Sequence, residues 1–216
     1  MVLPEVWRPH DGSGVVDELE ADGWSVTETR FVQLDLSGRP HPADPGDGWW
    51  CLAVASRRPF ASVREIPLPR TIGDPVPRRA AVHVVVDADG PIDLVAFHLS
   101  SKLWWGAPVV QLLGLRREVG ALGRDRPAIL AGDANWWRRG LAPLLPGWRS
   151  AVRGATYPAG RPHSQIDHVL VRGLDVVRGE VRDRATGSDH RAIRATLRTA
   201  PPSAAVVPPG AAERLR

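Results

Sequence analysis

Pro127-Ala128-Ile129-Leu130-Ala131-Gly132-Asp133-Ala134-Asn135 decides how the chain is read. Its first half is a short apolar run bounded by proline and glycine, which is the pattern of a buried strand. Its second half sets an acid and an amide at the end of that strand. Taken alone, Gly-Asp-x-Asn is often only a turn, because Asp and Asn favour turns. Its surroundings supply the context. Upstream, Pro108 to Leu122 has helical spacing, with Val109, Leu112, Leu113, Leu115 and Val119 as the expected apolar stripe. Before that, Ala80–Val86 and Ile92–Leu99 are β-rich runs joined by Asp87-Ala88-Asp89-Gly90-Pro91, a hairpin signal. Downstream, Ile166–Val171, Val176–Val181 and Ala192–Leu197 are further strand candidates.

The N-terminal part continues the pattern. Val2–Trp7 is an apolar run expected to form a strand ending near Glu5, and Val15–Glu20 a short amphipathic helix closed by Gly23. Trp24–Leu36, Trp49–Ser56 and Phe60–Leu68 are strands by alternation or apolar content, with a Gly/Pro/Asp-rich loop over 37–48. Many strands with few helices between them indicate an α/β (α+β) fold, two mixed β-sheets packed face to face with helices outside. No repeat or mid-chain change in composition divides the sequence. Residues 1–198 are expected to form one domain, and 199–216, rich in Pro and Ala, a disordered tail.

Composition excludes some classes. The chain has 216 residues, 43% hydrophobic and 24% charged, ordinary for a globular domain. No apolar run approaches the ~20 residues needed to span a bilayer, and the N-terminus lacks the basic and apolar regions of a signal peptide. A cytoplasmic monomer without stable membrane insertion is expected. Cys51 is the single cysteine, which excludes an internal disulfide and a thiolate zinc site. The net charge of +4 suits an anionic substrate, though an arginine-rich coding bias gives the same balance.

Polar residues gather at the ends of apolar runs. Glu5, His98, Asp133 with Asn135, Asp167, and Asp189 with His190 all lie there. Ionised carboxylates are seldom buried unless paired or metal-bound, so strand ends converging on one rim are a natural place for a site. Each has a bland alternative: a solvated Glu, a paired core Asp, a core histidine. His83 alternates with Val82 and Val84 and is expected to be structural. His168 should face away from Asp167.

The order along the chain carries more weight. Strand-Glu, His98-Leu99-Ser100, Gly132-Asp133-Ala134-Asn135, Ile166-Asp167-His168 and Ser188-Asp189-His190 together resemble the endonuclease/exonuclease/phosphatase superfamily. That superfamily includes pancreatic deoxyribonuclease, abasic-site endonucleases, sphingomyelinases and inositol polyphosphate phosphatases. The resemblance runs from about Val2 to Leu197. It implies a deoxyribonuclease I-like, four-layer sandwich and divalent-metal-dependent hydrolysis of phosphate esters. It also implies Glu5 as ligand to Mg²⁺ or Mn²⁺ with Asp189 close to the metal, and His190 paired with Asp167. On this reading His190 is a general base or a phosphate-binding imidazolium. Asp133 would orient or deprotonate the attacking water, Asn135 would hold Asp133 or a phosphoryl oxygen, and His98 would meet a phosphate oxygen or the leaving group.

The sequence departs from the family pattern in three places. The family's earlier, Asn-bearing strand has no counterpart before Met1, which implies an upstream start or a shortened member, exposed apolar surface and a weaker metal site. Pro4 replaces the usual Gln, and proline suits an unpaired edge. Phe97 and Ala134 replace the usual Thr and an aromatic, as packing changes.

The substrate is less legible. In the pairs Trp49-Trp50, Trp104-Trp105 and Trp136-Trp137 one indole of each is expected in the core and the other half-exposed, the functional alternative being that Trp104-Trp105 and Trp136-Trp137 line the cleft. Trp104 and Trp136 are candidates to stack on bases or touch lipid headgroups, and Arg138 and Arg191 to bind phosphates. Nucleic acid is the expected partner, with a lipid or small-molecule phosphate ester as the alternative. A catalytically weak binding module and a carboxylate-pair glycoside hydrolase are the other readings. The histidine-bearing motifs argue against the glycosidase.

Overall fold

A computed structural model of the chain describes residues 1–34, 48–72, 74, 76, 78–101, 106–122, 126–136, 141–183 and 187–199. The remaining residues, which include Trp104, Trp105, Trp137, Arg138, Arg139 and nearly all of the expected tail, lie outside this set.

Eleven strands and two α-helices are described. In chain order they are β1 (Val2–Pro9), α1 (Val15–Ala21), β2 (Ser25–Leu34), β3 (Gly48–Ser56), β4 (Phe60–Pro67), β5 (Ala80–Asp87) and β6 (Pro91–His98). They continue with α2 (Ala107–Val119), β7 (Ala128–Asp133), β8 (Arg149–Ser150), β9 (Asp167–Arg172), β10 (Leu174–Val181) and β11 (Ile193–Thr199). The six-stranded sheet runs β4-β5-β6-β7-β9-β8, a second sheet runs β1-β3-β2, and β10 and β11 form a separate ribbon. Among the described residues only β6 and β7 pair in parallel, across the connection that contains α2, while the other ladders are antiparallel. That is the arrangement a crossover helix imposes.

The period-2 alternation of β5 and β6 explains the layers. One face presents Val82, Val84 and Ala96, which pack with Phe31, Leu52 and Val54 of the β1-β3-β2 sheet. The other face presents Ala81, Val95 and Phe97, which pack with Leu112, Leu115 and Val119 of α2. Val16 of α1 is buried against Val6, Cys51 and Ala53 on the outer face of the smaller sheet. The β10–β11 ribbon lays Val176, Val181, Ile193 and Leu197 over Ile129, Val169 and Val171. The result is helix, sheet, sheet, helix, as expected, with the second sheet layer in two pieces. Among the described residues no ladder joins β1 to β11.

The expected stripe of α2 needs correction. Leu112, Leu115 and Val119 are buried, but Val109 and Leu113 are 37% and 56% exposed, and Gln111 takes an inward position. Gln111 is there because its Oε1 accepts the Ser100 N–H at 2.7 Å, which satisfies a buried backbone donor. The two-residue β8 and a 3-10 turn at Ala142–Leu144 had no signal in the sequence. Among the described residues no helix is long and apolar enough to cross a membrane.

Candidate active site

The acidic and histidine side chains meet because strand ends from both sheet layers open at one mouth. β6 and β7 run side by side, with His98 opposite Asp133, and β9 brings Asp167 opposite Asp133 on the other side. β7 can end so close to β6 only because residue 132 is glycine. A Cβ there would lie 1.8 Å from the Phe97 carbonyl oxygen, at a backbone φ of +153°. Beyond it, Asn135 takes a left-handed φ of 49°, tolerated by Asn. Its backbone N–H donates to Asp133 Oδ1 at 2.6 Å, and its side-chain NH₂ donates to the Leu99 carbonyl at 2.9 Å.

Glu5 reaches the same mouth by a different device. The sequence placed it at the end of its strand; it lies instead mid-strand, in an irregularity of the β1–β3 register between Leu3 and Val6. Two residues, Pro4 and Glu5, stand there opposite Leu52 alone, which is a β-bulge. A bulge re-aims a side chain, and the missing N–H of Pro4 does no harm on an edge strand.

The cleft has a volume of about 450 Å³ and is lined by Pro4, Glu5, Asp133, Asp167, Gly187, Ser188, Asp189 and His190. His190 Nδ1 donates to Asp167 Oδ2 at 2.9 Å, and the His190 backbone N–H donates to Ser188 Oγ. The Thr156 hydroxyl oxygen accepts from the Asp167 backbone N–H. The 154–164 segment braces the Ser-Asp-His turn, with Ala159 N–H donating to the Asp189 carbonyl and Arg191 N–H to that of Thr156. Tyr157 sets its ring 5.1 Å from that of His190.

The charges act strongly on one another here. The Asp167 carboxylate raises the pKa of His190 from 6.5 to about 9, so His190 is an imidazolium at neutral pH. Burial, then repulsion from Asp167, pushes Asp133 up to about 7. Glu5 is raised first by burial and then by repulsion from Asp189. His98 is driven down to about 3 by burial and by the nearby Arg79 cation, so it is neutral.

The donor set fits a divalent cation. Asp133 and Asp167 each offer one ligand oxygen, and these lie within 4.8 Å of each other and of a His190 ring nitrogen, which could join them only as a neutral imidazole. Glu5 and Asp189 add two carboxylates to the same cleft. Oxygen-rich, strongly anionic sites suit hard cations, and the mutual repulsion of these acids is what such a cation relieves.

Other expected residues stand elsewhere. His98 is buried to 4% exposure and does not line the cleft. Its Nδ1 must carry the proton, since it faces the Pro4 carbonyl oxygen at 2.9 Å and a carbonyl only accepts. Its Nε2 lies 3.6 Å from Asp133 Oδ2. With its one proton held on the Pro4 carbonyl and a pKa of about 3, it is a neutral imidazole that stands behind Glu5 and Asp133. Trp136 packs against the α2-side core instead of the cleft. Arg191 spends its Nε–H on the Ala159 carbonyl at 2.8 Å. Trp104 and Arg138 lie outside the described residues. His83 is structural as expected, with Nε2 2.6 Å from Asp93, which also binds Arg126. His168 is buried on the face away from Asp167, beside Leu170. Sequence reasoning missed Trp50, Asp74, Arg79 and Tyr157. None sits in a recognisable motif, and only the fold sets them behind or beside the residues that line the cleft.

Residues 1–190 match the Endonuclease/Exonuclease/phosphatase family. The chain belongs to this family. Its members generally hydrolyse phosphate esters with a divalent metal. An endonuclease/exonuclease/phosphatase from Beutenbergia cavernae DSM 12333 is 27% identical, with a TM-score of 0.65 over 92% of this chain. The match covers 62% of that relative, so this family member spans less than two thirds of its length. The 3′ phosphatase NExo from Neisseria, bound to product DNA hairpin, is 18% identical with a TM-score of 0.58, over 90% of this chain and 87% of that one. The mannosyl-6-phosphatase of Bacteroides thetaiotaomicron VPI-5482 is 16% identical with a TM-score of 0.58, over 80% and 76%. At such identities the last two share the fold alone. No curated protein sequence matches the chain.

Proposed function

We propose that this family member is a Mg²⁺- or Mn²⁺-dependent phosphodiesterase that acts on nucleic acid. The observation that carries the reading is the convergence of Glu5, Asp133, Asp167, Asp189 and His190, from separate elements, on one cleft. Glu5, with Asp189 beside it, would hold the cation, whose chemistry is to neutralise charge on the phosphoryl oxygens. His190, kept protonated by Asp167, would bind a phosphoryl oxygen as a charge-assisted donor. Asp133 would take the proton of the attacking water. A base with a pKa of about 7 is well matched to neutral pH, and the Asn135 backbone N–H fixes its carboxylate. The net charge of +4 and the DNA product of the Neisseria neighbour favour nucleic acid. The sugar-phosphate neighbour makes a small phosphate ester the second reading.

Hydrolysis of bis(p-nitrophenyl) phosphate with Mg²⁺ or Mn²⁺, before and after EDTA, tests the chemistry. Single- and double-stranded oligonucleotides against a sugar phosphate test the substrate. Metal-dependent turnover that falls ~10²–10⁴-fold in His190→Ala is expected. Tight polyanion binding without turnover would replace this reading with a binding module.

A further inference from the structure

Arg79 is the most enclosed cation described near the cleft. Its side chain is 5% exposed, and that of its partner Asp74 is 2% exposed. Nε donates to Asp74 Oδ2 at 2.8 Å and Nη2 to Oδ1 at 3.4 Å, while Nη1 donates to the His98 carbonyl at 3.4 Å. The guanidinium carbon lies 5.4 Å from the Trp50 ring centroid and 5.6 Å from that of Phe31. Asp74 is itself held from α2, because Gln111 Nε2 donates to its Oδ2 at 3.3 Å. With its fork spent and its face against aromatic rings, Arg79 is not free to bind a substrate phosphate.

Such a pair is a costly way to fill a core. Removing two charges from water costs several kcal/mol, and apolar residues of like volume often do as well. What distinguishes this pair is where its contacts lead. One arm runs through Trp50, whose ring lies over the guanidinium and whose indole is a polar neighbour that lowers the Glu5 pKa. The other runs through His98, whose carbonyl accepts from Arg79 and whose Nδ1–H donates to the Pro4 carbonyl. The rings of Trp50 and His98 also meet edge-on, 5.3 Å apart. Both arms therefore end on the Pro4–Glu5 bulge.

We infer that Arg79, locked by Asp74, is a positioning residue that sets Glu5 for cation binding through Trp50 and His98. The inference rests on the proposed role of Glu5 as a metal ligand. Groups that orient a ligand in this way are worth about 10–100-fold in metal affinity or activity when removed.

The test is direct Mn²⁺ binding to the full chain, read as loss of the free-ion EPR signal, alongside denaturant unfolding and steady-state kinetics. Trp50→Phe keeps a ring against Arg79 and deletes the indole N–H. Arg79→Lys keeps the charge and loses the fork. Both should weaken Mn²⁺ binding by the folded protein about 10-fold or more and lower kcat with little change in KM. Arg79→Met should be worse than Arg79→Lys in both respects. Unaltered Mn²⁺ affinity in Trp50→Phe and Arg79→Lys would overturn the inference, whatever their stability. If Arg79→Lys does not fold, Trp50→Phe decides alone. Glu5→Gln separates the two ideas. Mn²⁺ binding unchanged in that variant would refute the role of Glu5, whereas binding lost there but intact in Trp50→Phe and Arg79→Lys would refute only the role of Arg79.

Discussion

Asp167→Asn alters one atom type in the cleft and removes the charge that holds His190. In the native protein Asp167 Oδ2 accepts the His190 Nδ1 proton at 2.9 Å, and this bond is the largest cause of the rise in the His190 pKa from 6.5 to about 9. At ~1.36 kcal/mol for each tenfold change, the rise corresponds to about 3 kcal/mol unscreened. The His190 side chain is 21% exposed, and screening by solvent reduces the expected value to ~2 kcal/mol. With Asn in place, only burial and the more distant acids act on the ring, so His190 should titrate near or below 6.5. At pH 8 the imidazolium fraction should then fall about 30-fold. The assay is an NMR titration of the His190 ring proton in cation-free protein, paired with a pH–rate profile. If the imidazolium binds phosphate, the falling limb near pH 9 moves down towards 6.5; if neutral imidazole is the base, it is a rising limb that moves. The sign for stability follows from a raised folded-state pKa. The pair stabilises fully below 6.5, and its contribution is lost as pH rises through about 9. The variant should therefore be less stable than the native protein at pH 6 and nearly equal to it at pH 10. A His190 that titrates at the same pH in both proteins would refute the reasoning.

Gly132→Ala should destabilise by more than ~4 kcal/mol or prevent folding, because its Cβ would lie 1.8 Å from the Phe97 carbonyl oxygen; urea unfolding measures this. Leu115→Ala should cost ~2–5 kcal/mol, since Leu115 is fully buried, whereas Leu113→Ala, at 56% exposure, should stay within ~0.5 kcal/mol; equal effects would invalidate the assigned face of α2. Asp133→Asn should abolish turnover yet stabilise the cation-free protein by ~1–3 kcal/mol above pH 7, because the buried acid, raised to about 7, opposes folding when ionised. Thermal unfolding at pH 6 and pH 8 tests it, and the gain should shrink at the lower pH.

Much of the fold was legible because period and punctuation are local. β3, β5 and β6 announce themselves by apolar content and the Asp87–Pro91 turn, whereas the parallel β6–β7 pair across α2 is seen only in the structure. Asp133 and Asp167 could be singled out because one ends β7 and the other opens β9. What stayed hidden is non-local. The bulge that aims Glu5 comes from register against β3, which no residue in Val2–Pro9 encodes alone. Val109 and Leu113 fit a helical stripe but lose the inward places to Gln111, whose bond to the Ser100 backbone no hydrophobicity pattern contains. Trp136 was assigned to the cleft by proximity to Asn135, but its indole packs on the core of α2. Arg79 resembled any other arginine until the fold set Asp74, Trp50 and His98 around it.

The cleft shows why binding and stability pull against each other here. Glu5 and Asp133 both carry pKa values raised by burial and by neighbouring acids, so the folded chain tolerates carboxylates that it would hold more cheaply protonated. His190 answers part of this charge from within the cleft, and Arg79 answers part of it from behind. Arg79, though, is largely neutralised by Asp74, so its value to Glu5 lies in geometry more than in net field. The balance left over is negative, and at neutral pH a cation is the natural way to discharge it. A cation that binds only the folded state adds its binding free energy to stability. The same acids that repel one another in the cleft are therefore the ones that would couple folding, metal and substrate phosphate at one place.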